Sequence, residues 1–163
     1  DEALKLYYQA LQIKLEALGE FHLDVANIEE GIGITCHHLG KQSEAFYHIR
    51  KSLSIWKKVL CQHSFGEASC YYSLAMVHNE RGEHVQALPH IREALRIILE
   101  VFGDNHPFTA IAYHRMYLAN KCVGESDAAN ECKEKLHELI RMVEDKMKRG
   151  IMFALGQALT MCT

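Results

Sequence analysis

Proline is scarce in this chain, with two in 163 residues, so little in the sequence interrupts helical hydrogen bonding. Long apolar runs are missing too. No stretch approaches the roughly 18 uninterrupted apolar residues that a membrane-spanning helix needs, and the first residues lack the basic-then-apolar pattern of a secretory signal. The cysteines, at 36, 61, 70, 122, 132 and 162, include no Cys-x-x-Cys pair and no close regular spacing. Neither a zinc site nor a small disulfide framework is suggested. A reducing, cytoplasmic setting follows, with the thiols acting as small hydrophobic groups. Charge of one sign is lacking as well: the net charge is −3 with the signs interspersed, so no basic stripe exists to meet a phosphate backbone, and nucleic acid is not an expected partner. The densest basic run, Lys146, Lys148 and Arg149, shares a helical pattern with Glu144 and Asp145 and reads as a solvated helix face.

Signatures of catalysis and of cofactor or metal binding are equally sparse. Gly31-x-Gly33 falls inside a helical pattern, not in a turn after a strand where glycines could cradle a phosphate. Glu29-Glu30 and Glu131-x-x-Glu134 read as charged helix faces, and no local motif pairs a nucleophile with a base. Among eleven histidines, the run Cys36-His37-His38 is consecutive, and consecutive helical residues point in different directions, which does not suit a shared metal ion. His78 and His84 flank a turn. The expectation is no enzyme, no cofactor and no metal.

What the chain does have is a repeat. An offset of 42 residues aligns Gly40, Gly82 and Gly124 without insertion or deletion. The same offset aligns Ala3, Ala45, Ala87 and Ala129; Ala26, Ala68 and Ala110; Leu11, Leu53 and Leu95; Ile13, Ile55 and Ile97; and Ile32, Leu74 and Met116. Each column has a mechanical reading. The glycine ends a helix in a left-handed conformation that needs no Cβ. The alanines mark close helix approach, and the large apolar columns at i, i+3, i+4 spacing face neighbouring helices. One unit then comprises a helix A over about 24–39, a turn at Gly40-Lys41, and a helix B over about 42–60. The pattern recurs over about 66–81 and 84–102, and again over about 108–123 and 126–147. His22 and His106 share a linker column, and Pro107 sits where a helix tolerates a missing N–H.

The organisation expected is a partial unit over 1–23, a helix B without a preceding helix A, followed by units over about 24–65, 66–107 and 108–145. Residues 146–163, with Ile151, Met152, Phe153, Leu155, Leu159 and Met161, read as a further helix that either covers the end of the stack or begins the next unit.

The large-small pairs Ile32-Gly33 and Leu74-Ala75, the turn glycine and the helix B alanine resemble the tetratricopeptide repeat; in the third unit Met116-Tyr117 departs from the pattern. The period of 42, in place of about 34, together with Leu18-Gly19-x-x-His22-x-Asp24-Val25-Ala26 and Phe102-Gly103-Asp104-Asn105-His106-Pro107, is similar to the long-helix variant of kinesin light chains. The resemblance extends from residue 1 to about 145. It implies an all-α fold, a right-handed α-solenoid of stacked antiparallel helix hairpins, with a concave groove lined by helices A that binds a peptide of a protein partner. In that family neighbouring asparagines clamp the peptide backbone. The matching positions here hold Glu30 and Gly31, Tyr72 and Ser73, and His114 and Arg115, so a different chemistry is expected.

By register the groove comprises Asn27, Glu30, Ile34, His37 and His38, then Ser69, Tyr72, Met76, Asn79 and Glu80, then Ile111, His114, Arg115, Leu118 and Lys121. Tyr72 and Met76, one turn apart, are the expected anchors. Such a wall, apolar in the middle with polar groups around it, suits a partner peptide or helix. The same residues could instead form the solvated wall of a structural spacer, of an oligomerisation element stacking through its open ends, or of a regulatory repeat domain in a larger protein.

Overall fold

The computed structural model describes residues 2–160, with side chains through residue 145. Seven helices make up the described chain: α1 (Glu2–Leu18), α2 (Leu23–His38), α3 (Gln42–Val59), α4 (Phe65–Glu80), α5 (His84–Phe102), α6 (Pro107–Val123) and α7 (Ser126–Thr160). The expected boundaries of α2 to α6 agree to within about two residues. The fold is an all-α solenoid of helix hairpins in which each helix packs on the next.

The turn glycines behave as their column requires. Gly40, Gly82 and Gly124 have φ of 74°, 74° and 81°, where a Cβ would be strained. Linker residues at a second recurring position start the helices A. The Nδ1 of His22 accepts from the Asp24 N–H at 3.1 Å, the Nδ1 of His106 accepts from the Phe108 N–H at 3.2 Å, and the hydroxyl of Ser64 accepts from the Glu67 N–H at 3.2 Å. Two kinds of side chain thus perform one capping task at three equivalent positions, satisfying N–H groups that the first turn leaves without partners.

The alanine columns are buried inside the stack: Ala26, Ala45, Ala68 and Ala87 have no exposed surface and Ala129 is 4% exposed. At the ends they are not. Ala3 is exposed, Ala110 is half-buried, and Ile13, aligned with buried Ile55 and Ile97, is 65% exposed. No described helix packs on that face of α1. Tyr117, which occupies the position of Gly33 and Ala75, is partly buried against the cluster around Ala87, Leu88, Ile91 and Met116, and α6–α7 contact is less extensive than α2–α3 contact.

Two expectations need correction. The last helix B does not end near 147 to make way for a separate helix, because α7 runs unbroken to Thr160. Gly150 and Gly156 are isolated glycines with no proline beside them, and each costs a helix only about 1 kcal/mol relative to alanine. The side chains expected to cover the end of the stack, from Ile151 to Met161, lie outside the described residues. Nor do all the thiols act as core groups: Cys36, Cys70 and Cys132 are buried, whereas Cys61 and Cys122 are exposed.

Candidate functional site

Helices α2, α4 and α6 stand side by side, but they are not evenly spaced. Between α2 and α4 the register places Glu30 opposite two serines, and its Oε1 accepts hydrogen bonds from Ser69 at 2.8 Å and Ser73 at 2.9 Å. Lower down, the buried imidazole of His37 places Nε2 2.9 Å from Glu80 Oε1, and its Nδ1 is 3.3 Å from Gln42 Oε1. Small side chains and these polar ties bring α2 and α4 into direct contact. Between α4 and α6 the same columns hold Tyr72 and Arg115, and no Cα atom of one helix lies within 8 Å of a Cα atom of the other.

The gap opens into two adjoining hollows. One, of about 370 Å³, is lined by Met76, Asn79, Glu80, Leu118 and Cys122, with Ile91 and His84 of α5 behind them. The other, of about 360 Å³, is lined by Ile34, Ser69, Ser73, Phe65, Phe108 and Ile111, with Ile98 of α5 behind. Tyr72, Met76 and Arg115 border both. The Arg115 guanidinium carbon lies 4.9 Å from the centroid of the Tyr72 ring, a cation–π contact between neighbouring repeats. Arg115 is exposed and has no carboxylate partner among the described residues. The Tyr72 hydroxyl is buried without a hydrogen-bond partner among them. Burial pushes its phenol up to about 12, with Arg115 acting in the opposite direction, so the group remains an O–H donor at neutral pH.

Of the fifteen residues expected in the groove, nine line these hollows: Ile34, Ser69, Tyr72, Met76, Asn79, Glu80, Ile111, Arg115 and Leu118. Glu30 and His37 instead serve as ties between α2 and α4, being 8% and 2% exposed. Asn27, His38, His114 and Lys121 are exposed on the same helices but outside the hollows. Sequence reasoning missed Phe65 and Phe108, which sit one turn before Ser69 and Ala112 and extend the face toward the linkers. It also missed the buried Ile91 and Ile98, because it assigned the wall to helices A alone, whereas α5 forms the floor where α4 and α6 separate. A wider depression of about 680 Å³, beside Tyr8 and Gln12, lies on α1, away from this face. No group of three His, Cys, Asp or Glu among the described residues is arranged to hold a metal ion, and no described helix is long and apolar enough to cross a membrane.

The repeat geometry has a counterpart in known proteins. The tetratricopeptide repeat profile matches residues 1–58 and 67–142. The chain belongs to the tetratricopeptide repeat family. Tetratricopeptide arrays are in general protein-interaction scaffolds and typically not enzymes. This array is also similar to the clustered mitochondria protein homologs of Danio rerio, with 27% identity over 79% of the chain, and of Eremothecium gossypii, with 25% identity over 96% of the chain. The chain spans only 9% and 12% of the length of those relatives. Among solved structures, BtubC (BKLC) from P. vanneervenii matches with a TM-score of 0.78 at 18% identity, covering 86% of this chain and 56% of that one. A putative kinesin light chain with nearly identical repeats from Podosopora anserina matches with a TM-score of 0.69 at 18% identity, covering 87% of this chain and 67% of that one. These likenesses support an array of the kinesin-light-chain type in its fold.

Proposed function

We propose that this array docks a segment of a partner protein in the gap between α4 and α6. The observation that carries this reading is the pair of adjoining apolar hollows on the helix A face, joined by Tyr72, Met76 and Arg115. Such a site combines apolar anchoring with a few fixed polar groups, as peptide grooves do. The net charge of −3 supports a protein partner over nucleic acid. The absence of any nucleophile–base motif supports a role in binding rather than catalysis. The name of the curated relatives supports a cytoplasmic or mitochondria-associated setting, with the array as one docking element of a longer protein.

The test is a peptide-display selection against the chain, repeated with Met76→Glu and Leu118→Glu. Both side chains face the hollows without belonging to the buried core, so folding should persist. Recovered binders are expected to weaken by about 30-fold or more, the scale of losing a central anchor. Binders held equally by both variants would locate the docking surface elsewhere.

A second reading, end-to-end association, is favoured by the exposed apolar face of α1, where Leu6 and Ile13 are 56% and 65% exposed. Sedimentation over a wide concentration range decides it: association should rise with concentration and be lost in Leu6→Glu/Ile13→Glu. A chain that stays monomeric throughout rules this reading out.

A further inference from the structure

The charge layout of the α4–α6 gap specifies more than an apolar ligand. Its two ends carry acid. Glu80 borders one hollow, and the carboxylate of Glu30 lies behind Ser69 and Ser73 at the other. Its middle carries a cation, since Arg115 borders both hollows and has no carboxylate partner among the described residues. Stacking on Tyr72 holds the guanidinium in place while leaving its N–H donors free to pair with an oxyanion.

Distance fixes the spacing. The α4 residues specific to one hollow centre near Ser69, and those specific to the other near His78. At a rise of 1.5 Å per residue this separation is about 13 Å. About four residues of extended chain at ~3.3 Å each cover it, and in an extended chain residues i, i+2 and i+4 point to one side.

We propose that the segment docked here is an extended stretch of a partner protein with the pattern apolar-x-acidic-x-apolar, its Asp or Glu side chain pairing with Arg115 and its apolar side chains filling the two hollows. This assignment rests on the docking role proposed above. The negative ends disfavour acid at the outer positions, and the central guanidinium disfavours lysine or arginine between them. Arg115 is therefore the residue that sets specificity, and the hollows supply affinity.

The test uses synthetic peptides with both termini blocked and an apolar-x-Glu-x-apolar core, alongside matched cores with Gln or Lys at the centre and a parallel set ending in a free carboxylate after one apolar residue. Binding is measured to the chain, to Arg115→Gln and to Tyr72→Phe. The Glu peptides are expected to bind the chain about tenfold or more better than the Gln peptides, the scale of one charge-assisted contact. That preference should shrink with added salt and vanish in Arg115→Gln, while Gln peptides bind both forms alike. Tyr72→Phe, which retains the stack, should keep most of the preference. Equal binding of Glu and Gln peptides by the chain overturns the inference, as does a preference that survives Arg115→Gln, or binding confined to the free-carboxylate set. If display binders are lost in Met76→Glu yet carry no acidic centre, docking stands and the acidic specificity falls. If nothing binds at all, both fall.

Discussion

Glu29→Ala should lower the unfolding free energy by about 3–5 kcal/mol, the usual cost of removing one member of a buried charged set. Glu29 has no exposed surface. Its Oε2 is 2.6 Å from His48 Nδ1 and its Oε1 is 2.8 Å from Lys51 Nζ. His48 in turn reaches α1 through Nε2, 3.2 Å from the Tyr8 hydroxyl. One carboxylate thus holds a chain of contacts joining α1, α2 and α3. Truncating it leaves His48 and Lys51 facing an apolar void. Lys51 is 27% exposed and can turn toward water, so the lower end of the range is expected. Urea unfolding monitored by circular dichroism checks this. The double substitution Glu29→Met/His48→Leu should cost less than Glu29→Ala alone, because it removes the buried polar demand together with its partner.

Glu29 also predicts a direction with pH. Burial by itself would raise its pKa, but the hydrogen bonds and charges of His48 and Lys51 outweigh burial and hold it below the ordinary 4.5. A carboxyl depressed in the folded state contributes stability that is complete above its unfolded value and is lost as the pH falls through the native one. Unfolding free energy should therefore fall as the pH drops below about 4.5, and part of that acid slope should be missing from Glu29→Ala.

Gly33→Ala should destabilise the chain even though alanine is the better helix former. A Cβ at Gly33 would lie 2.5 Å from Ile49 Cγ1 and 3.1 Å from both the Ala45 carbonyl oxygen and the Ile49 nitrogen. Two of those atoms are backbone of α3, so α2 and α3 must move apart. The helical gain of about 0.5–1 kcal/mol opposes an overpacking cost of about 1–3 kcal/mol, leaving a net loss. Gly33→Val adds branching at the same spot and should lose more. The cause can be isolated by placing Ile49→Ala in the Gly33→Ala background: the double variant should lose less than the sum of the singles, a coupling that denaturation of all four forms would read directly. Strict additivity would mean that the close approach of α2 and α3 is not what Gly33 serves.

The scaffold was legible because a repeat imposes the same packing on the same column. Gly40, Gly82 and Gly124 occupy one backbone conformation, and Ala45 and Ala87 are buried for one reason. The site was legible only in part, because a residue's place on the inner face does not reveal whether its side chain is already occupied. Glu30 and Tyr72 belong to one column, yet Glu30 is consumed by serines 39 and 43 residues further on, while Tyr72 supports Arg115. No periodicity distinguishes these fates, since they depend on which atoms meet across a gap. The ends of the stack fail the pattern for a simpler reason: Ala3 and Ile13 sit in columns whose burial needs a neighbouring helix on that side. The floor of the hollows went unread because α5 lines them only where α4 and α6 separate.

That separation has a mechanical consequence. Glu30 and His37 tie α2 directly to α4, whereas α4 and α6 are bridged by side chains such as Tyr72 and Arg115, and elements joined by fewer direct contacts are in general freer to move against each other. A ligand wedged between them would act as the missing tie. Occupancy of the gap and the relative setting of the helices on its two sides would then be linked.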